Sequence, residues 1–173
     1  MNSLPGPQDI GRTVFPNGIT LLTRSNFASP SVVLAGYFPA GARFDPPGMT
    51  GLANFASLML LRGTTHSTFG QLSERLESIG ASLGFGAGTN HINFGGRCLT
   101  EDLPKMLALL VEVLREASFP AEQIKRLRGQ MLTSLSIRDQ DTSERVEMAL
   151  DDLLFPDHPY GRPVEGWPAS LPP

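Results

Sequence analysis

The sequence predicts an α+β domain, a mainly antiparallel sheet with helices packed on one of its faces. Three observations lead there. Short β-branched and apolar runs bounded by turn signals fill residues 13–38 and 81–98. Apolar residues at helical spacing fill 50–79 and 103–154, so that the coarse order of groups is ββ, αα, ββ, ααα. The chain has 173 residues, 40% hydrophobic and 18% charged, which suffices for one domain with a real core.

Residues 1–11 are polar and turn-rich and read as a tail, leaving 12–173 as a single domain. Thr13-Val14-Phe15 and Ile19 to Thr23 flank Pro16-Asn17-Gly18, whose Asn-Gly pair signals a hairpin. The nearly all-apolar run Ser31 to Phe38 suits a strand buried on both faces or one covered by helices. From Thr50 to Leu61 the apolar residues run nearly all round a helix, which predicts burial with Leu58 in the core. Thr68 with Gln71 makes a capping box for a second helix, striped by Leu72, Leu76 and Ile79 and closed by Gly80. Ala81 to Cys98 holds two extended runs around Asn90-His91. Thr100 caps a third helix with Leu103, Met106, Leu110 and Val113 on one stripe. Pro120 opens a fourth, whose buried stripe is Ile124, Leu127, Met131 and Leu135. Asp141 with Glu144 caps a fifth, Val146 to Leu154, and the proline-rich stretch Pro163 to Pro173 does not look like a natural domain end.

Several function classes fall away on composition. A net charge of −3 leaves no nucleic-acid footprint. No apolar run reaches the roughly 18 residues of a membrane span. The single cysteine, Cys98, excludes an internal disulfide framework and a cysteine-rich zinc cage. The first residues lack a signal-peptide pattern, which leaves the location open between cytoplasm and periplasm. His66, His91 and His158 show no metal-ligand spacing. Gly84-Phe85-Gly86-Ala87-Gly88 lacks the order of a phosphate loop.

The informative segment is Ala40-Gly41-Ala42-Arg43-Phe44-Asp45, followed by Gly51-Leu52-Ala53-Asn54-Phe55-Ala56-Ser57-Leu58-Met59 and Arg62-Gly63-Thr64. Together with Leu76 to Leu83 and Phe155-Pro156-Asp157-His158-Pro159-Tyr160-Gly161-Arg162-Pro163, it resembles the N-terminal domain of the pitrilysin/insulinase zinc metallopeptidases, the inverzincin HxxEH family. The resemblance covers roughly residues 12–171. In that family two histidines at i and i+4 of a helix grip one zinc, and a glutamate at i+3 acts as general base on its water. A glutamate on a later helix is the third ligand.

Carried over, the resemblance puts Asn54 and Leu58 at the two histidine positions, Ser57 at the base and Ser134 at the later ligand, so all four positions are substituted. Leu58 offers no lone pair, and asparagine and serine are weak neutral donors where zinc sites use imidazole, carboxylate or thiolate. The implied reading is a chain without metal or cofactor and without activity of its own. It would serve as the inactive subunit or scaffold beside a catalytic, HxxEH-bearing partner. Active relatives also add extended peptide to a sheet edge, placed here at Gly84, Phe85, Gly86 and Ala87. Two alternatives stay open: an active metallopeptidase with a site relocated to His66, His91, His158 and scattered carboxylates, and a pure protein-interaction domain. The family places a further strand after its last helices, so the resemblance implies an incomplete domain whose exposed edge would make the chain self-associate.

Overall fold

The computed structural model of the chain describes residues 6–171. Its contacts divide it into two units, one ending at Pro30 and the other beginning at Ser31. In the first, a short turn at Pro7–Asp9 leads into the antiparallel pair β1 (Gly11–Val14) and β2 (Thr20–Thr23). The Asn17-Gly18 signal lies in the connecting turn, where Gly18 takes φ +87° and the Asn17 carboxamide accepts from the Ile19 N–H.

The second unit holds β3 (Ser31–Phe38), α1 (Leu52–Met59), α2 (Phe69–Glu77), β4 (Ser82–Ala87), β5 (Ile92–Leu99), α3 (Leu103–Arg115), α4 (Ala121–Arg138) and α5 (Thr142–Leu154). Three strands, not two, therefore precede the first helix pair, because both arms of the hairpin count separately from β3. The three-stranded sheet is antiparallel in the order β3-β5-β4. Its helix-covered face carries Leu83 and Phe85, which pack with Leu72 of α2 and Leu109 and Val113 of α3. Cys98 is buried on the same face. The other face is open: Val33 is 74% and Tyr37 69% exposed. β3 is thus covered on one side only, and its apolar run alternates in burial as a half-buried strand does.

Segments far apart in sequence are fastened at the β4–β5 turn. The Ala42 and Arg43 N–H groups donate to the Gly88 and Thr89 carbonyls at 3.0 and 2.9 Å. A Cβ on Gly41 would collide with the backbone of Gly88, Asn90 and His91, so glycine is required there. The Asn90 carboxamide oxygen accepts from both Arg43 and Tyr160, at 3.3 and 3.2 Å. The C-terminal stretch is not loose: Leu171 is buried with Phe55, Met59, Leu127, Met131 and Leu135, and the Ser170 hydroxyl donates to the Thr50 carbonyl.

A polar cluster ties α2 to α3. Glu112 accepts from Thr64 Oγ1 at 2.7 Å and from Arg75 Nη1 at 2.8 Å. Burial pushes its carboxyl up, but hydrogen bonds from Thr64, Arg75 and Ser67 outweigh burial, and its pKa lies below the ordinary 4.5. A folded pKa below the unfolded one means stability that is complete above 4.5 and is lost as pH falls through the folded value. Glu112→Gln is expected to cost about 1–3 kcal/mol at pH 7. Below pH 4.5 the gap between wild type and variant should shrink, as read from thermal melts across pH.

Candidate functional site

Helix α1 starts at a tight turn where Gly51 has φ +97°. Its first N–H groups have no cap of their own and are satisfied from six residues upstream. Asp45 Oδ2 accepts from Gly51 at 2.8 Å and Oδ1 from Ala53 at 2.9 Å, a carboxylate at a helix N-terminus. The helix is buried on two opposite sides. Phe55 and Met59 face α4, packing on Leu127, Met131 and Leu135. Ala53 and Ser57, half a turn round, are buried where α1 packs on the sheet.

Between those sides one stripe stays accessible, and it carries Asn54 and Leu58. Leu58 is 38% exposed, so it is not a core residue as the all-round apolar pattern predicted. The pattern misled because two packed sides of a short helix use up nearly every apolar position without enclosing the third. Asn54 and Leu58 line a cavity of about 480 Å3 together with Met131, Ser134 and Ile137 of α4. Three of the four substituted positions, Asn54, Leu58 and Ser134, therefore meet at one place, although about 80 residues separate the first from the last. Ser57 does not join them. It is 1% exposed, and its hydroxyl donates back to the Asn54 carbonyl at 2.8 Å.

The three positions bring a carboxamide, a hydroxyl and an isobutyl group, none of them an imidazole, carboxylate or thiolate of the kind zinc sites use. Among the described residues no group of three or more His, Cys, Asp or Glu side chains stands where it could hold a metal ion. The histidines lie in separate surroundings. His66 pairs with Glu116 at 2.7 Å, His91 stacks edge-on against Tyr37, and the His158 Nδ1 accepts from the Tyr160 N–H.

The cavity is also lined by four charged residues, Asp141, Glu144, Glu165 and Arg138, which the sequence alone did not assign to a site. A signal existed for Arg138: it stands four residues after Ser134, on the same face of α4. Its guanidinium lies 5.2 Å over the Trp167 ring, with Nη2 3.5 Å from Asp139 and Nη1 3.8 Å from Glu165. Asp141 caps α5, its Oδ1 accepting from the Ser143 and Glu144 N–H groups.

β4 is an edge of its sheet, paired with β5 only among the described residues. Phe85 points to the helices, while a Cβ on Gly84 or Gly86 would meet nothing within 4 Å. These two glycines are not demanded by packing, and they leave the strand's outer side clear. α1 packs against this strand, so the candidate edge and the accessible stripe of α1 belong to neighbouring elements.

Residues 20–166 match the sequence family described as Insulinase (Peptidase family M16). An uncharacterized zinc protease of Rickettsia bellii is 27% identical over 150 residues, 87% of this chain and 36% of that protein. A mitochondrial-processing peptidase subunit beta of Neurospora crassa is 26% identical over 163 residues, 89% of this chain and 32% of that protein. The chain spans about a third of the length of these relatives. Among solved structures, one titled as the peptidase M16 inactive domain from Pseudomonas fluorescens superposes with a TM-score of 0.89 at 26% identity, over 95% of this chain and 40% of that one.

Proposed function

The chain belongs to the insulinase family of peptidases, family M16, and on that premise we propose that it is a non-catalytic member, a subunit or scaffold that binds extended peptide beside a catalytic partner. The observation that carries this reading is the convergence of Asn54, Leu58 and Ser134 on one cavity with no zinc-type donor among them. The solved relative titled an inactive domain supports it, as does the relative named as a subunit. The row Val146, Leu150 and Leu153 on α5, 66%, 50% and 77% exposed, is the surface this reading gives to the partner.

Peptide binding is assigned to the edge Gly84, Phe85, Gly86 and Ala87, because strand addition uses main-chain groups and survives the loss of catalytic side chains. The test is a titration of labelled dodecapeptides into the protein, followed by backbone amide NMR. Saturable shifts confined to β4 and its neighbours, with the peptides recovered uncut, are expected. Absence of binding, or cleavage by the purified chain, would overturn the reading.

A further inference from the structure

Helix α3 is apolar on its outer side as well as on its buried one. Met106, Leu109, Leu110 and Val113 are buried in the domain. On the outer side Leu107, Val111 and Leu114 are 39%, 53% and 38% exposed, and Pro104 and Ala108 are exposed beside them. Pro104, Leu107, Val111 and Leu114 follow one another at steps of three, four and three, the spacing of the seam between two paired helices. The other charges on this helix are already engaged: Lys105 pairs with Asp102 at 2.8 Å, and Glu112 with Arg75 at 2.8 Å. Two exposed charges stand at the ends of the outer face, Glu101 in the turn Thr100–Asp102 before α3 and Arg115 at its last residue. Among the described residues neither has an ion-pair partner. Each is seven places from Ala108, close to two helical turns, so the three fall on one line beside the seam with the charges about 10 Å from Ala108.

We propose that this face of α3 is the contact surface for a second copy of the chain, the two helices lying antiparallel about a two-fold axis near Ala108. Leu107 then lies against Val111 of the second copy and Pro104 against its Leu114, while Glu101 of each copy meets Arg115 of the other. The contact is isologous, an apolar seam flanked by two ion pairs. A parallel pairing would set Glu101 against Glu101 and Arg115 against Arg115. A partner helix of one charge sign would be repelled at one of the two ends. Opposite charges at the two ends of an apolar face therefore fit a copy of that face run in reverse. Two helices of 13 residues bury little area by the standard of stable complexes, so the dimer is expected to form with a dissociation constant of roughly 10 µM to 1 mM. The contact uses neither the α5 row nor the β4 edge, so it does not depend on the reading above.

The test is sedimentation equilibrium of the purified chain from about 10 µM to about 1 mM, the range in which a contact of this size associates. A monomer–dimer equilibrium with no larger species is expected. Val111→Asp puts a carboxylate into the seam and should leave the chain monomeric over the whole range. Glu101→Arg alone and Arg115→Glu alone should each weaken the dimer roughly fivefold or more, because by symmetry one reversal spoils two exposed pairs. The double variant Glu101→Arg, Arg115→Glu should restore the wild-type constant. All three positions are exposed, and thermal melts check that each variant is folded. A chain that stays monomeric at the highest concentration, association that survives Val111→Asp, single reversals without effect, or a double variant that does not recover would each overturn the proposal. Association through a sheet edge or through α5 would show itself as a dimer that ignores all four variants.

Discussion

The triple variant Asn54→His, Leu58→His, Ser134→Glu is expected to bind one zinc ion per chain. Positions 54 and 58 are four apart on α1 and lie one above the other on its accessible stripe. Position 134 faces the same cavity from α4. Three protein ligands with an open fourth position are the makeup of a catalytic zinc site. None of the three positions is buried, so the new side chains replace solvent-accessible ones rather than core. Zinc at a thousandfold excess over its dissociation constant should stabilise the variant by about 4 kcal/mol, read as a rise in melting temperature on adding zinc. Peptidase activity is not expected to follow, because Ser57 supplies no general base. Placing a glutamate there means burying a carboxylate at a position that is 1% exposed. A triple variant that takes up no zinc would show that the three positions do not converge as the cavity lining says.

Met59→Ala is expected to cost about 2–5 kcal/mol, the usual range for truncating a fully buried side chain. Met59 is 0% exposed and packs with Phe55, Leu127, Met131, Leu135 and Leu171, so its removal leaves a void walled by α1, α4 and the C-terminal stretch. Its neighbour Leu58 gives the contrast. At 38% exposure it loses little on truncation, and Leu58→Ala is expected to cost about 0.5 kcal/mol or less. Urea unfolding of the two single variants measures both. Equal costs would mean that α1 is rotated so that Leu58 and Met59 share the buried side.

Much of this architecture was legible in the sequence because local signals and tertiary demands agree. The Thr68–Gln71 capping box, the Asn17-Gly18 turn and the stripe of α4 each depend on neighbours in the chain, and each appears where its pattern puts it. Leu58 was not legible. An apolar helix pattern does not say how many sides will be covered, and here α4 and the sheet cover two of three. The cap of α1 was hidden for a different reason: Asp45 reaches its helix across six residues, beyond the spacing of any capping motif. The charged lining of the cavity was hidden because Glu165 comes from a distant segment, while Asp141 and Glu144 read only as a helix start. The positions equivalent to the metal ligands were legible through the family's motif. Their meeting at one cavity needed the fold.

Zinc content of the wild-type protein tests the loss of the metal site most directly. The purified chain is equilibrated with a small molar excess of zinc, freed of unbound ion by gel filtration and measured by elemental analysis. The expected result is no stoichiometric zinc, because Asn54, Leu58 and Ser134 bring no zinc-type donor to the cavity. One tightly held zinc ion per chain would contradict it and would mean that other side chains have taken over the ligand roles.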